Sequence, residues 1–485
     1  MTSAPAFLSR QKLQLLGVGA AGVVIAGAFA QDPAAYLCIA IPAMLPLFLW
    51  LRAEARGMPV LPIICSLLFV YYAVPILRHE INFADSDDIF AAAVTVAAFL
   101  GASSLACWPF YLHMPRRSPD YGRIFASDRP LMQLALIGIA CGIAYHLAVI
   151  SGSLDWLGAS TGLVRSLAVT LASIACYLVG YARASRQLSG IAWALALSGV
   201  LLLIILAWTN LLLSGGLIYS AAALLGYVIT TKRIPWFAVG MIFASLAVLQ
   251  AGKYEVRDQY WSIESSSLKD GSLAQVPAMM ADWLTAGFEA ILSTGKESRS
   301  DFLERASLLH MVLLVQRETP DFLPYLGGKT YALLPSMMMP RFLAEDKTIS
   351  QAGLNLLSVY YGLQLQESTA NTTIGWGLIA EGYANFGLWG VIVVGAIFGA
   401  LCGAITRFSA GAAANSLPMF VAIPATLALM DVEADFSYLV VTLGQAVVAT
   451  ILLVGPFTFL HRPSAYLRRP REPDRRPAED ISLAE

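Results

Sequence analysis

Long apolar runs dominate this chain and restrict it to one kind of architecture. The stretches 89–112 and 437–460 hold 24 residues each and no charged side chain. A helix needs roughly 20 apolar residues to cross a hydrocarbon core about 30 Å thick. Only 13% of the 485 residues are charged and 58% are apolar, against roughly 25% charged residues in soluble domains. The sequence therefore predicts an all-α polytopic membrane protein and excludes a soluble enzyme, a disordered regulator and a nucleic-acid-binding module.

Twelve segments are long and apolar enough to be transmembrane helices. The first of them could be a signal peptide, but it lacks a clear cleavage site and more spans follow at once, so we expect an uncleaved helix. The seventh and eighth are nearly continuous and are separated around Asn210. The predicted spans are 13–30, 35–51, 59–77, 89–112, 131–150, 163–181, 190–209, 213–230, 234–251, 376–406, 417–431 and 437–460.

The basic residues predict the orientation of these spans. With a cytoplasmic N-terminus, 19 of the 31 Lys and Arg residues fall in cytoplasmic segments, and the short outer loops hold only Arg78 and Arg165. The remaining 10 lie in one long outer loop, which the positive-inside rule does not count. Both termini are therefore expected in the cytoplasm.

The spans divide the chain into four parts. We expect a nine-span membrane bundle at 1–251, a large periplasmic loop at 252–375 and a three-span bundle at 376–460. The tail at 461–485 is rich in Pro, Arg and acidic residues without apolar periodicity, so we expect it to be disordered in the cytoplasm.

The long outer loop is the natural place for function, because a loop of this length in a compact protein is usually functional. Its stretch 273–292 has apolar residues at helical spacing, which predicts an amphipathic helix in the membrane interface with Trp283 at head-group level. Several prolines and Gly327-Gly328 interrupt the later part. We expect short helices and turns that form a roofed site over the bundle.

The tenth apolar stretch, 374–405, exceeds one span and carries polar residues near its start. Glu381 and Asn385 are four residues apart and so share one helix face. An acidic side chain at membrane depth needs a partner or a cavity. Glu381 either pairs with an arginine to fix the roof or faces the cavity as a general base or sugar ligand.

Two acidic turns follow predicted spans. Each could hold a divalent cation, although such turns are ordinarily just solvated. All six cysteines lie inside apolar runs without a Cys/His cluster, so we predict neither a metal site nor a cofactor. The acidic turns contain Asp85, Asp87 and Asp88 after the third span, and Asp431, Glu433 and Asp435 after the eleventh.

The run from 305 to 387 resembles the oligosaccharide repeat-unit polymerases, the Wzy-like or O-antigen polymerase group. The most specific part is the block Glu-Gly-Tyr-Ala-Asn-Phe-Gly at 381–387, and the Pro340-Arg341 element comes next. The flanking spans match only in hydropathy and in the position of the long loop. The other matching pieces are 305–310, 324–331, 345–347, Tyr361-Gly362 and Thr372-Thr373.

The resemblance implies an activity and a location. Such polymerases act at the periplasmic face of the bacterial inner membrane on glycans carried by a polyprenyl diphosphate such as undecaprenyl diphosphate. They transfer the growing O-antigen or exopolysaccharide chain onto the next lipid-linked repeat unit. They look metal-independent, and members are expected to work with a flippase and a chain-length regulator.

Basic residues of the loop are candidates to hold the diphosphate in a reaction of that kind, because a guanidinium binds phosphate bidentately. Arg341 is the first candidate, since it follows Pro340 and emerges from an apolar wall. Arg305 and Lys347 come next, with Arg257 as an outer contributor. For Arg305, Lys347 and Arg257 taken singly, a solvated surface charge is the simpler interpretation, and Arg341 is set apart by the apolar run before it.

The acceptor hydroxyl needs a base, and the sugars need polar contacts. His310 or Glu381 would take the proton, and the sequence does not decide between them; His310 could instead be a satisfied core histidine. Tyr361, Tyr383 and Asn385 are expected to hydrogen-bond with or stack against sugar rings.

Two other activities compete with the polymerase. An O-antigen ligase, which transfers finished glycan to another acceptor, would share the topology and the Arg-rich loop. A flippase or transporter of lipid-linked sugar should show repeated halves and a polar central cavity. The concentration of polar residues in one asymmetric loop favours chemistry at the surface.

Overall fold

The structure is a computed structural model in which helices account for nearly all regular structure. Two strands of two residues each, β1 (Trp261–Ser262) and β2 (Ser267–Leu268), pair antiparallel. The residues described are 16–17, 19–81, 83–112, 114–115, 128–262, 267–268, 272–292, 307–339, 348–370 and 373–460.

The α-helices are numbered in chain order from residue 33. A further helical stretch at 19–27 precedes them. The helices are α1 (Pro33–Arg52), α2 (Val60–Tyr72), α3 (Val74–Leu77), α4 (Ser86–Leu112), α5 (Asp128–Ile150), α6 (Thr161–Ala184), α7 (Gly190–Trp208), α8 (Leu213–Thr231), α9 (Trp236–Tyr260), α10 (Val276–Leu292), α11 (Leu308–Glu318), α12 (Leu334–Met338), α13 (Ala352–Tyr360), α14 (Gly377–Phe408), α15 (Leu417–Leu429) and α16 (Phe436–Leu460).

Ten stretches of the described chain are helical, long and apolar enough to cross a membrane. They coincide with ten of the twelve predicted spans, so the prediction of an all-α polytopic membrane protein is confirmed. The first predicted span, 13–30, lies partly outside the described residues. The eleventh, 417–431, differs from the prediction: α15 has only 13 residues.

The short helix α15 changes the shape of one end of the bundle. At 1.5 Å per residue it rises about 20 Å, which is less than the roughly 30 Å of hydrocarbon. Val432, in the turn 430–435 that follows it, lines the same small cavity as Phe99 from the middle of α4, so this turn lies within the thickness of the bundle. Irregular backbone at such depth is tolerated where protein or a water-filled cavity surrounds it.

Helix α14 is broken near its start, which explains why this apolar stretch exceeds one span. Phe386 and Gly387 have non-helical backbone angles, and the positive φ of 61° at Gly387 suits glycine. The chain turns back here. Gly390 after the break lies so close to Gly382 before it that a Cβ on Gly390 would be 2.2 Å from the carbonyl oxygen of Gly382. We call 377–385 the short arm and 388–408 the long arm. The long arm alone is about 31 Å long, one membrane span.

Close backbone contacts hold the central helices together. A Cβ on Gly399 of α14 would lie 2.0 Å from the carbonyl oxygen of Ser103 on α4, and the Ser103 hydroxyl donates to the carbonyl of Gly395 at 2.9 Å. Gly180 of α6 packs against the backbone of α8, and Gly226 of α8 packs against the backbone of α6, at an equally close distance. In lipid the hydrophobic effect does not hold helices together, so close packing has to do so. Small residues allow the backbones to approach and thereby stabilise the bundle.

The segment after the predicted boundary at 251 is joined to the bundle more closely than the sequence indicates. Helix α9 continues to Tyr260, and α10 packs back along it with Gly287 against Gly252. The prediction that Trp283 lies at head-group level is wrong. Trp283 has no exposed surface, and its Nε1 donates to the carbonyl of Leu249 at 2.5 Å. The small residues bring the two backbones close, and this buries the indole between them.

Helix α11 also belongs to the main core. Leu309 and Val312 have no exposed surface and pack in the same apolar cluster as α2, α4 and α14. Helix α13 follows the loop and packs on the turn at 430–435, where Gly353 meets the side chain of Asp435. We call the end of the bundle that carries α10 to α13 and the turn 430–435 the loop end.

Candidate functional site

The loop 324–331 docks on the break in α14. The backbone N–H groups of Leu326 and Gly327 donate to the carbonyls of Ala384 (3.0 Å) and Asn385 (3.1 Å). These carbonyls lie at the end of the short arm, where a helix leaves its last carbonyls without internal partners. The ring of Tyr331 stacks on Phe386 at 6.2 Å. Two separate pieces of the motif resemblance, 324–331 and 381–387, are therefore in direct contact.

Asn385 is the side chain that fixes this contact. Its Oδ1 accepts from the N–H of Gly328 (3.0 Å), and its Nδ2 donates to Thr330 Oγ1 and to the carbonyl of Glu381 (2.9 Å each). The residue has no exposed surface. We therefore assign Asn385, which the sequence suggested as a sugar contact, to the positioning of the loop.

Replacing Asn385 with alanine should release the loop. Loss of hydrogen bonds from a buried amide leaves partners unsatisfied, at about 1–3 kcal/mol each, so we expect amide exchange at Leu326, Gly327 and Gly328 to rise by roughly 30-fold. Hydrogen–deuterium exchange with mass spectrometry measures this. Asn210→Ala, in the connection between α7 and α8, is the control. Unchanged exchange in Asn385→Ala would show that other contacts hold the loop.

Glu381 and Asp435 both bind the start of α16. The N–H of Phe436 donates to Glu381 Oε2 (2.6 Å), and the N–H of Tyr438 donates to Asp435 Oδ1 (2.8 Å). Acidic groups at a helix N-terminus satisfy its free N–H groups and its positive dipole end. Both side chains have no exposed surface, and burial raises the pKa of Asp435.

The position of Glu381 bears on its predicted role. Its Oε1 has no hydrogen bond of ordinary geometry within the described chain, although the Thr330 hydroxyl lies close enough to interact with the carboxyl. Because no part of the side chain reaches solvent, we assign Glu381 to the wall of the site and not to contact with substrate.

Charged side chains from three parts of the chain lie within electrostatic range of one another beside this wall. Glu433, in the turn after α15, accepts a hydrogen bond from the Tyr71 hydroxyl through Oε1 at 2.6 Å. Its backbone carbonyl accepts from the N–H groups of Trp376 and Gly377 at 3.0 Å each, which ties the turn to the start of α14. Lys253 of α9 lies within electrostatic range of Glu433.

Two arginines complete the group. Arg257, one helical turn beyond Lys253, interacts with it and holds its guanidinium 4.0 Å from the ring centre of Trp261. Arg165, near the start of α6, lies within electrostatic range of Asp431 and Tyr438. We call the group Arg165, Lys253, Arg257, Asp431 and Glu433 the charged recess. None of the five forms an ion pair within 4 Å of another described residue.

Asp431 is open to solvent on one side and surrounded by protein on the others. Its side chain is exposed to solvent, yet surrounding protein, and after it the charge of Glu433, raises the pKa of the carboxyl to about 6. The carboxyl is therefore partly dehydrated while it stays accessible to water. A carboxyl whose pKa is shifted in this way is a candidate for a functional site.

His310 lies on α11, away from these contacts. Its ring packs on Phe83 with centroids 4.9 Å apart, and burial lowers the pKa of the imidazole. The contacts described for His310 do not include Glu381, Arg257 or the charged recess. The ring is packed in the core as the alternative of a core histidine predicts, but neither ring nitrogen has a hydrogen-bond partner of ordinary geometry among the described residues, so the histidine is not a satisfied one.

The two tyrosines predicted to contact sugars occupy different environments. Tyr361 is buried against Trp376, with ring centres 5.2 Å apart, and shares a hydrogen bond of 2.7 Å with Thr319 Oγ1. Burial raises its pKa to about 12, so Tyr361 belongs to the core. Tyr383 is half-buried, and its ring centre lies 6.5 Å from that of Tyr325 on the docked loop.

The predicted diphosphate ligands Arg305, Arg341 and Lys347 lie outside the described residues, so their roles stay predictions. Arg257 is the one predicted basic ligand that the structure brings into the recess. In the described part of the chain, no group of three or more His, Cys, Asp or Glu side chains is arranged to hold a metal ion.

Sequence reasoning missed most of the recess. In the sequence, Lys253 is one of ten basic residues of the long loop and Arg165 marks only the orientation of a span. The acidic turn with Asp431 and Glu433 has the pattern of a solvated turn or a divalent-cation site. Two signals were present: Lys253 and Arg257 are four residues apart on one helix face, and an unusually short apolar segment precedes the acidic turn.

Comparison with protein-family models, with curated proteins and with solved structures finds no match. Function therefore has to be argued from the site itself.

Proposed function

We propose that this protein is a membrane glycosyltransferase that joins polyprenyl-diphosphate-linked oligosaccharide repeat units into a polysaccharide. The observation that carries the proposal is the charged recess at one end of a membrane bundle, in which Lys253 and Arg165 lie within electrostatic range of Glu433 and Asp431, and Arg257 lies beside Lys253. We propose that the recess opens at the periplasmic face of the bacterial inner membrane and that both termini are cytoplasmic, as the basic residues predict.

The recess offers the groups that the transfer requires. The bond between the anomeric carbon of the growing chain and its diphosphate carrier breaks, and negative charge develops on the departing diphosphate. Lys253, Arg257 and Arg165 would stabilise that charge. The acceptor hydroxyl of the next repeat unit bonds to the same carbon, and its proton passes to a carboxylate.

Asp431 is our assignment for that base. It is exposed in the recess, and its pKa of about 6 makes it a stronger base than an ordinary carboxylate while leaving it ionised at neutral pH. Arg305, Arg341 and Lys347 remain proposed as further cations from the loop. His310 and Glu381, the sequence candidates for the base, have no described contact with the recess cations.

The pH profile tests this assignment. Because the carboxylate is the active form, the rate of chain extension should rise with pH around a midpoint near 6. Asp431→Asn should show no such rise, and its rate should be lower by at least about 100-fold. Initial rates from about pH 5 to about pH 8 in membrane vesicles supplied with lipid-linked repeat units measure both effects.

The stability of the folded protein should change with pH in the direction opposite to the rate of chain extension. Folding raises the Asp431 pKa from 3.8 to about 6, so ionisation opposes folding and the free energy of unfolding should fall as pH rises through that interval. Glu255→Gln, an exposed carboxylate on α9, is the control for both measurements. A pH profile that Asp431→Asn leaves intact would assign the base elsewhere.

Two alternatives use the same membrane architecture. An O-antigen ligase would need the same cations for the same leaving group and would differ only in its acceptor. A flippase or transporter of lipid-linked sugar needs polar groups along a path through the bundle, whereas the recess charges gather at the loop end. The recess therefore supports transfer chemistry over transport.

The glycan ladder of a deletion strain distinguishes these activities. Loss of a polymerase should leave single repeat units on the final acceptor and no longer chains. Long polymer that stays on its carrier would indicate a ligase, and repeat units trapped on the cytoplasmic face would indicate a flippase. As a polymerase, the protein is also expected to work with a flippase and a chain-length regulator.

A further inference from the structure

A second candidate site lies on the loop end. It is a cleft of about 570 Å³ between α13, the docked loop and the helical turns at Tyr331–Leu333 and Gln366–Ala370. A cleft of this size is typical of a small-molecule or oligosaccharide site. Apolar residues such as Leu333 form part of its wall, and Lys329, Asn355, Tyr360, Gln366 and Thr369 supply polar groups.

Asn355 points to a ligand in this cleft. The residue is only 8% exposed, and its Oδ1 has no hydrogen-bond partner among the described residues. An unpaired buried acceptor costs about 1–3 kcal/mol. A donor on a molecule bound in the cleft would remove that cost.

The other polar groups define the chemistry of that molecule. Tyr360 donates its hydroxyl proton to the carbonyl of Pro324 (2.6 Å), and Thr369 donates to that of Gln366 (2.7 Å). Both hydroxyls therefore present lone pairs, so with the amide oxygens of Asn355 and Gln366 the cleft holds four side-chain acceptors. Lys329 and the Gln366 amide add donors. Sugar rings carry several hydroxyl donors together with apolar C–H faces, whereas an acyl chain would leave the polar groups unpaired.

Helix α13 connects the cleft with the acidic turn. On one face, Gly353 packs against Asp435. Between the two faces, the Ser358 hydroxyl oxygen accepts a hydrogen bond from Trp376 Nε1 at 2.9 Å. On the other face, Asn355 and Val359 line the cleft. One helix thus separates the cleft from the turn that carries Asp431 and Glu433.

We infer that the cleft is a glycan subsite that binds sugar residues of the growing chain away from the bond that reacts. This inference rests on the proposed function. A chain held at two places benefits from a raised effective concentration at the reacting site. Affinity should therefore increase once the glycan is long enough to reach from the recess to the cleft.

Binding of free glycan tests the subsite. The probe is the producing strain's own polysaccharide, released from its carrier by mild acid and fractionated by repeat number. Against the full-length protein in nanodiscs, Asn355→Ala and Gln366→Ala should each weaken binding of multi-repeat fractions by about tenfold. Gln366 is exposed, so its variant carries no folding defect, and Glu367→Gln beside it is the control. Binding that neither variant alters overturns the subsite.

Chain length gives a second measurement that separates the subsite from the proposed function. In cells, the cleft variants should still join a second repeat unit to the first but produce shorter chains, because only the remote contact is lost. A full-length ladder in both variants overturns the subsite while the polymerase stands. A deletion strain with a normal ladder overturns the polymerase itself, whatever the binding result.

Discussion

Replacing Lys253 with alanine should abolish chain extension, with a fall in rate of at least about 100-fold. Lys253 is a half-buried cation of the recess, four residues from Arg257 and within electrostatic range of Glu433. Charge that develops on a leaving diphosphate is stabilised most by a cation already fixed in a partly dehydrated site. Extension of lipid-linked repeat units in membrane vesicles, normalised to protein amount, measures the effect.

Matched variants separate charge from folding. Lys253→Met keeps the apolar stem and should be as inactive as the alanine variant, while Lys253→Arg should restore part of the rate because it returns the charge in another geometry. Arg233→Ala removes a cation near the opposite end of α9 and should have little effect. If Lys253→Met works at the normal rate, the recess does not bind the leaving group.

Replacing Gly399 with valine should remove the folded protein from the membrane. A Cβ at this position would lie 2.0 Å from the carbonyl oxygen of Ser103, a backbone atom that cannot move without shifting α4. Overpacking of this kind costs about 1–3 kcal/mol or more. It would also separate α14, which carries the docked loop, from the rest of the bundle. We expect membrane abundance to fall by about tenfold or more.

The same pair of helices provides the control. Gly101 lies on α4, and a Cβ there would meet nothing within 4 Å. Gly101→Val should therefore accumulate and unfold like the wild type. Abundance in membranes and the thermal unfolding midpoint in detergent compare the two variants. Normal values for Gly399→Val would mean that α4 and α14 do not pack as closely as described.

The sequence predicted the site unevenly. The block 381–387 and the segment 324–331 were recognised as motif pieces, and they are in direct contact. The roles of the individual residues were not predictable. An asparagine can be buried and bond three backbone or hydroxyl groups, or it can bind a sugar, and the residue type is the same in both cases. Burial decides between these roles, and burial follows from packing.

The charged recess was not predictable because its members come from distant positions. Arg165, Lys253 and Glu433 are separated by roughly 90 and 180 residues along the chain, and each alone has the pattern of a solvated surface charge. What brings them together is the packing of α6, α9 and the turn after α15. Trp283 shows the same limit, since its helical pattern fits a membrane interface as well as a partner helix.

By itself, the sequence determined the all-α membrane architecture and the positions of its spans. Transfer of an apolar helix into lipid depends mainly on the residues of that one segment, so a membrane span can be predicted from the segment alone. Only the tertiary structure decided that α14 turns back at Gly387, that α15 ends within the bundle, and that five charges share one recess. Those features depend on contacts between backbones far apart in sequence, and such contacts set which polar groups meet water and which are buried.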